Sequence, residues 1–164
     1  MAAVKTGDDR ILAINSGSSS LKFGLYRPPS ADEDPAPVLT GGAVGIGHTN
    51  GHLQIKDDKG ALLVDEPYHL DSQGHALGEV LKTMDRTGQR RPSMIGHRIV
   101  HGGPHLREHQ RITEGLIRTL EAAVHFAPLH IPPAVKLIRE TTKLLPDIPQ
   151  YACFDTAFHR TMPE

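Results

Sequence analysis

The chain has 164 residues, of which 38% are hydrophobic and 23% charged, and its net charge is −1. This composition predicts a globular domain with its own core and argues against binding nucleic acid or an anionic membrane through bulk charge. Cys153 is the only cysteine, so no intrachain disulfide can form, and residues 1–10 lack the apolar segment of a signal peptide. We therefore expect a cytoplasmic protein.

The first half of the chain predicts paired strands. Residues 11–14 form a short apolar run, and residues 21–25 alternate apolar with polar positions, which indicates a hairpin closed by the Ser-rich turn between them. Residues 38–47 predict another strand. Residues 53–55 and 62–64 flank an Asp-Asp-Lys-Gly turn, which predicts a second hairpin.

The second half predicts helices alternating with strands. Apolar residues recur at helical spacing in segments 76–84, 116–124 and 134–141, and short apolar runs predict strands at 94–100 and 151–154. Asp71 or Ser72 is placed to cap the first helix, Gly88 to end it, and the Pro132-Pro133 pair to open the third. Strands followed by this alternation predict an α/β fold with a mixed sheet.

A segment rich in serine and glycine, Ile14-Asn15-Ser16-Gly17-Ser18-Ser19-Ser20-Leu21-Lys22, joins the first two predicted strands. A tight turn exposes successive backbone N–H groups, and serine hydroxyls add donors, so this segment is suited to holding phosphate. Lys22 lies beyond the turn and could offer its ammonium group to phosphate oxygens. An ordinary surface turn is the alternative, and the segment does not match a P-loop.

Arg98 and three histidines surround the end of the predicted strand at 94–100. Arg98 is placed to hold a carboxylate or phosphate through two N–H groups, with a surface ion pair as the alternative. His97, His101 and His105 have the spacing of a helical metal site. The Gly-Gly-Pro break after His101 argues against a helix there, and strand side chains at these positions would not converge, so metal binding by them is disfavoured.

Two further polar residues stand where predicted elements begin or end. His130 precedes a helix start fixed by proline, where anions bind; it could contact a phosphoryl group, or it could cap or pack. Asp155 ends a strand, a common position for a catalytic or metal-linked carboxylate, and also for an Asp that caps the next turn. Cys153 lies within that apolar strand and is better explained by packing than by nucleophilic catalysis.

Four segments, taken in order, resemble the signatures of acetate kinases. They are Asn15-Ser16-Gly17-Ser18-Ser19-Ser20-Leu21-Lys22, His97-Arg98-Ile99-Val100-His101-Gly102-Gly103, Ala127-Pro128-Leu129-His130 and Phe154-Asp155-Thr156-Ala157-Phe158-His159-Arg160-Thr161-Met162-Pro163. The resemblance covers residues 10–164 and implies the superfamily of sugar kinases, actin and Hsp70-type ATPases. It implies a ribonuclease-H-like βββαβαβα domain at residues 11–164, after a flexible N-terminus at residues 1–10. This would be the first of two domains, with the active site in the cleft between them.

The resemblance implies reversible transfer of phosphate from ATP to acetate, giving acetyl phosphate and ADP, in an enzyme that is a homodimer at full length. On the nucleotide side, Asn15 would help to hold Mg²⁺, with Mn²⁺ as an alternative ion. Ser18, Ser20 and Lys22 would lie near the ATP phosphates. Neither nucleic acid nor a membrane is an expected partner.

On the acceptor side, Arg98 would bind the substrate carboxylate, and Val100 and Leu129 would line the pocket for its methyl group. His130 would approach the transferring phosphoryl group, and Asp155 is the residue usually named as catalytic. A carboxylate acceptor is already ionised at neutral pH, so no base is needed to activate it. We therefore expect Asp155 to position Mg²⁺ or a phosphate-binding cation.

The sequence also departs from the family pattern. Asn usually follows the Leu-His pair, whereas Ile131 stands here, and family members are much longer. The chain stops directly after a dense motif, so we expect a fragment or a truncated gene product that lacks the second domain and is inactive alone. A propionate or butyrate kinase and a catalytically silent fragment with a binding or structural role are the alternatives.

Overall fold

The computed structural model describes residues 9–29, 33–104, 106 and 108–157. These residues form one eight-stranded sheet and three α-helices. The strands are β1 (Ile11–Ser16), β2 (Ser20–Arg27), β3 (Ala36–Val44), β4 (His52–Asp57), β5 (Leu62–Pro67), β6 (Met94–Ile99), β7 (Gln110–Arg111) and β8 (Gln150–Phe154). The helices are α1 (Gln73–Arg86), α2 (Glu114–Ala122) and α3 (Ile131–Leu144), with a 3₁₀ turn at Val124–Phe126. The predicted α/β fold with a mixed sheet is confirmed.

The strand order β5-β4-β3-β2-β1-β6-β8-β7 places the three parallel strands side by side. Strands β1, β6 and β8 run parallel, and every other pairing is antiparallel. The carboxyl ends of parallel strands meet at one edge of a sheet, where α/β proteins bind their ligands. The topology thus brings the ends of β1, β6 and β8 together, although 83 positions separate Asn15 from Arg98.

Alternation along the strands gives the sheet two different faces. Leu12 and Ile14 of β1 are buried against apolar residues of α1, whereas Phe154 of β8 is buried with residues of α2 and α3. Residues of the opposite parity, such as Ala13 and Cys153, lie on the other face and retain solvent exposure. Because helices cover only the first of these faces in the described chain, the second is left open to form a cleft.

Local signals in the sequence determine where the helices begin and end. Ser72, rather than Asp71, caps α1, since its Oγ accepts a hydrogen bond from the His75 N–H at 3.1 Å. Gly88 follows the end of α1 with a φ of +68°, a conformation that favours glycine. Ile131, the departure from the family pattern, is the first residue of α3 and is only 1% exposed. Ile131 therefore packs in the hydrophobic core at the start of α3.

One strand lies outside what the sequence pattern predicted. The two-residue strand β7 pairs with β8 at the sheet edge, where neither length nor alternation could reveal it. Among the described residues, no helix has the length and apolarity that crossing a membrane requires.

Candidate active site

A row of polar side chains crosses the open face of the sheet. Asn15 is the register partner of Lys22 on β2 and of Arg98 on β6, and Arg98 is in turn the partner of Cys153 on β8. Register partners point to the same face, so these four side chains are neighbours although the chain supplies them from four separate strands. Asp155 directly follows β8 at the same edge.

Arg98 and Asp155 form the best-defined contact in this row. The Arg98 Nε donates to Asp155 Oδ1 at 2.9 Å and to Oδ2 at 3.1 Å, while Nη2 donates to Oδ2 at 2.6 Å. The paired carboxylate raises the pKa of the Arg98 guanidinium, mainly through these hydrogen bonds. The remaining Nη1 lies 3.4 Å from Asn15 Oδ1, which is close to the limit for a hydrogen bond.

An open cleft of about 420 Å³ lies beside this pair on the same face. Its lining combines Asn15, Lys22 and Arg98 with an apolar surface to which Tyr26 and Cys153 contribute. Burial raises the pKa of the Cys153 thiol, which disfavours the nucleophilic thiolate and agrees with a packing role. The cleft is thus mostly apolar, with cationic and amide groups gathered at one end.

The structure separates the serines of the predicted phosphate-binding segment from its lysine. Lys22 lines the first cleft, whereas Ser18 lines a second cleft of about 370 Å³ together with Gln73 of α1 and Lys136 of α3. Ser20 begins β2 and is half-buried. The Ser-rich turn therefore stands between two clefts, and the three residues that the sequence grouped do not share one of them.

The three residues predicted around the methyl pocket and the phosphoryl group lie away from the first cleft. Leu129 is 76% exposed, and Val100 is half-buried just beyond β6. His130 is the exposed N-cap residue of α3, yet its side chain makes no capping hydrogen bond. Val100, Leu129 and His130 are all absent from the lining of the 420 Å³ cleft. Their roles in substrate and phosphoryl binding stay predictions.

Two of the histidines that share metal-site spacing, His97 and His101, make separate hydrogen bonds. His97 is buried, with its Nε2 2.7 Å from Gln150 Oε1, and His101 Nδ1 accepts a hydrogen bond from the Gly103 N–H at 2.8 Å. His105 lies outside the described residues, as do residues 158–163 of the fourth signature, Glu164 and residues 1–8. Within the described ranges, no three His, Cys, Asp or Glu side chains are grouped as a metal site would require.

Asn15 and Asp155 nevertheless fit part of a Mg²⁺ site. Amide and carboxylate oxygens are the hard ligands that Mg²⁺ prefers, and proteins often supply only one or two of them while substrate phosphates and water complete the octahedron. Both side chains place oxygens against the same Arg98 guanidinium, Asp155 at Nε and Nη2 and Asn15 at Nη1, so these ligand oxygens lie near one another. The chemistry of this pair therefore suits an ion that is bound together with phosphate.

Comparison with known proteins identifies the family. The profile of the acetokinase family matches residues 10–164. The chain belongs to the acetokinase family. It is 39% identical over 156 residues to an acetate kinase of Chromobacterium violaceum, covering 94% of this chain and 38% of that relative.

Solved structures of the same family share the fold. A propionate kinase from Francisella tularensis and the acetate kinase of Porphyromonas gingivalis each superpose with a TM-score of 0.82 at 31% identity. The match covers 94% and 95% of this chain, respectively, and 39% of each of those chains. This chain thus fits the N-terminal portion of such relatives and spans about two fifths of their length.

Sequence reasoning missed two buried glutamines that hold other parts of the structure in place. Gln73 contacts the Ser-rich turn from α1, and Gln150 holds His97 while its Nε2 donates to Thr142 Oγ1 at 2.8 Å. Neither residue lies in a motif. The sequence signal that could have indicated a structural role was the position of each glutamine, Gln73 at the start of a helix and Gln150 at the start of an apolar strand.

Proposed function

We propose that this chain supplies part of the active site of an enzyme that transfers phosphate reversibly between ATP and acetate, with acetyl phosphate and ADP as products. The observation that carries this proposal is the cationic end of the 420 Å³ cleft, where Arg98 lies between Asn15 and Asp155. A guanidinium matches the planar, bidentate geometry of a carboxylate. Membership of the acetokinase family supports the reaction class.

Arg98 has donors to spare for a substrate. Asp155 engages Nε and Nη2 and thereby fixes the plane of the guanidinium, while Nη1 makes one long contact, of 3.4 Å, to Asn15 Oδ1. We infer that an acetate carboxylate is bound at this Nη1 edge. The family resemblance assigns its methyl group to Val100 and Leu129, which lie outside the lining of the 420 Å³ cleft. The acceptor needs no deprotonation near pH 7, so catalysis would come from alignment and charge neutralisation in an in-line transfer.

The remaining residues have assigned tasks on the phosphate side. Lys22 would offer its ammonium group to the ATP phosphates, and His130 would approach the transferring phosphoryl group. Asn15 and Asp155 would hold Mg²⁺, which when bound supplies charge neutralisation on the phosphate oxygens. On this account, Asp155 orients Arg98 and the ion and does not remove a proton.

A second acceptor is favoured by one specific observation. The solved relative from Francisella tularensis is a propionate kinase, and its superposition is as good as that of an acetate kinase. One added methylene changes discrimination by only about 1–3 kcal/mol, so small differences around the methyl pocket could select propionate or butyrate. A silent fragment with a binding role would instead show no turnover in any context.

The proposal can be tested in a chimera in which residues 10–164 replace the matching segment of the Chromobacterium violaceum relative. Acyl phosphate formed from ATP is trapped with hydroxylamine, and kcat/KM is compared for acetate, propionate and butyrate. We expect ATP-dependent turnover with acetate as the best acceptor. Turnover that is faster with propionate or butyrate would reassign the substrate, and a folded chimera without turnover would contradict the proposal.

A further inference from the structure

The carbonyl groups of the Ser-rich turn are tied to the protein interior. The side-chain Nε2 of Gln73 donates to the Gly17 carbonyl and, at 3.1 Å, to the Ser20 carbonyl. The Ser20 carbonyl also accepts from the Gly17 N–H at 2.9 Å, and the Ser19 carbonyl accepts from the Ile46 N–H at 3.0 Å. Three of the turn's carbonyl oxygens are therefore occupied by protein donors.

The N–H groups at the tip of the turn have the opposite character. Within the described part of the chain, the N–H groups of Ser18 and Ser19 donate no hydrogen bond to a protein acceptor, and the Ser18 side chain lies exposed in the second cleft. Backbone N–H groups attract an anion only when the neighbouring carbonyl oxygens, which repel it, point elsewhere. Gln73 provides this separation of donors from acceptors.

The position of Gln73 is itself fixed from three sides. It is the first residue of α1, it is 7% exposed, and the Ser72 cap holds the turn of helix that contains it. The next residue, Gly74, donates its N–H to Glu140 Oε2 of α3 at 2.7 Å. A Cβ at position 74 would come within 2.6 Å of that carboxylate, so this close approach needs glycine. The Gln73 amide is thus preorganised against the turn before any ligand arrives.

We propose that Gln73 is a positioning residue for phosphate binding: it draws the turn's carbonyls inward so that the N–H groups of Ser18 and Ser19 face an anionic ligand. This inference rests on the proposed function, because it takes the Ser-rich turn to be the phosphate-binding element. The ligand class is a polyphosphate, whose several oxygens can accept from adjacent N–H groups. Gln73 acts through the turn, because its Nε2 is engaged by the Gly17 and Ser20 carbonyls.

The experiment is a titration of the ¹⁵N-labelled 164-residue chain with inorganic triphosphate, followed by amide chemical shifts. Gln73→Met keeps the length of the side chain and removes its donor. The matched control is Gln150→Met, because Gln150 is also 7% exposed and also loses side-chain hydrogen bonds, but it lies away from the turn. The free energy of unfolding of each variant, compared with that of the wild type, measures how much stability is lost with a buried amide in general.

We expect triphosphate to shift the Ser18 and Ser19 amides of the wild type. Gln73→Met should weaken this binding by about tenfold or more, because two carbonyls lose their donor and are free to turn outward. Gln150→Met should leave the affinity within ~twofold, since its site is independent of the turn. Equal affinity in Gln73→Met and the wild type would overturn the role of Gln73 alone. Failure of triphosphate to shift these amides in the wild type would overturn it together with the proposed function of the turn.

A measurement on the unmodified chain keeps the inference testable if Gln73→Met does not fold. Hydrogen exchange of the Gln73 side-chain amide should slow when triphosphate is added, because ligand binding and the Gln73 hydrogen bonds stabilise the same turn conformation. Exchange that is unchanged at saturating triphosphate would contradict the inference.

Discussion

Arg98 and Asp155 lie 57 positions apart in the chain and form an ion pair with three hydrogen-bond distances between 2.6 and 3.1 Å. The pair places a fixed guanidinium at the carboxyl edge of the sheet and leaves its Nη1 group toward Asn15. Arg98 would thus bind the acceptor carboxylate, and Asp155 would hold the Arg98 guanidinium in place. The first two predictions separate these roles in the chimera described above.

Arg98→Lys should raise the KM for acetate and lower kcat/KM by about 10- to 100-fold, because a point charge cannot replace two charge-assisted hydrogen bonds in fixed geometry. Steady-state kinetics with acetate and ATP varied independently will measure this. Arg139→Lys is the matched control, since Arg139 pairs with Glu114 and Glu121 on the helical surface. Constants equal to those of the parent chimera would contradict the role of Arg98 in carboxylate binding.

Asp155→Asn keeps the shape of the side chain and removes its charge. We expect kcat to fall by about 10²- to 10³-fold, as when one electrostatic contact is lost from a closed site, and the Mg²⁺ concentration for half-maximal rate to rise. The measurement is kcat as a function of both pH and Mg²⁺. If a limb of the parent's pH profile vanished in the variant while the Mg²⁺ dependence stayed the same, Asp155 would be an acid or base instead.

Buried His97 should make the stability of the chain depend on pH. Desolvation lowers the pKa of His97 from 6.5 to about 4, so the unfolded chain binds more protons than the folded one between these values. The contribution of neutral, buried His97 to the free energy of unfolding is fully present above pH 6.5. It is lost as the pH drops toward 4, by up to ~3 kcal/mol. Urea unfolding of the wild type and His97→Phe across this range will test it.

The expected result is a flatter pH dependence in His97→Phe, whatever its stability at pH 7. His48→Phe is the control, because His48 is exposed on the surface. A His97→Phe slope as steep as that of the wild type would show that other groups carry the acid destabilisation.

The sequence predicted all of the strands and α-helices except the short strand β7, because their signals are local. A short apolar run predicted β1, alternation predicted β2, and helical spacing predicted α1. The parallel pairing of β1 with β6 then placed Asn15 beside Arg98. The rest depends on contacts between distant segments. Whether Arg98 faces a ligand or Asp155 depends on rotamers that no local pattern encodes. Likewise, only the approach of α1 to the Ser-rich turn reveals what Gln73 does.

The 164-residue chain alone should form no measurable acyl phosphate. It spans 38% of the length of its Chromobacterium violaceum relative, and the groups that close over a transferring phosphoryl come from both sides of an active-site cleft. A hydroxamate assay on the purified chain, verified by mass, will test this. Robust turnover by that sample would show that the 164-residue chain suffices for the reaction.

The central claim is that this chain's Arg98 site receives the carboxylate in an acetokinase reaction, and acetyl phosphate formation by the chimera tests it most directly. The measurement compares the chimera with its Arg98→Ala, Asp155→Ala double variant at saturating ATP and Mg²⁺ over a range of acetate concentrations. We predict acetate-dependent product from the chimera and a loss of at least about 10³-fold in kcat/KM from the folded double variant. Equal product formation by the two proteins would contradict the claim.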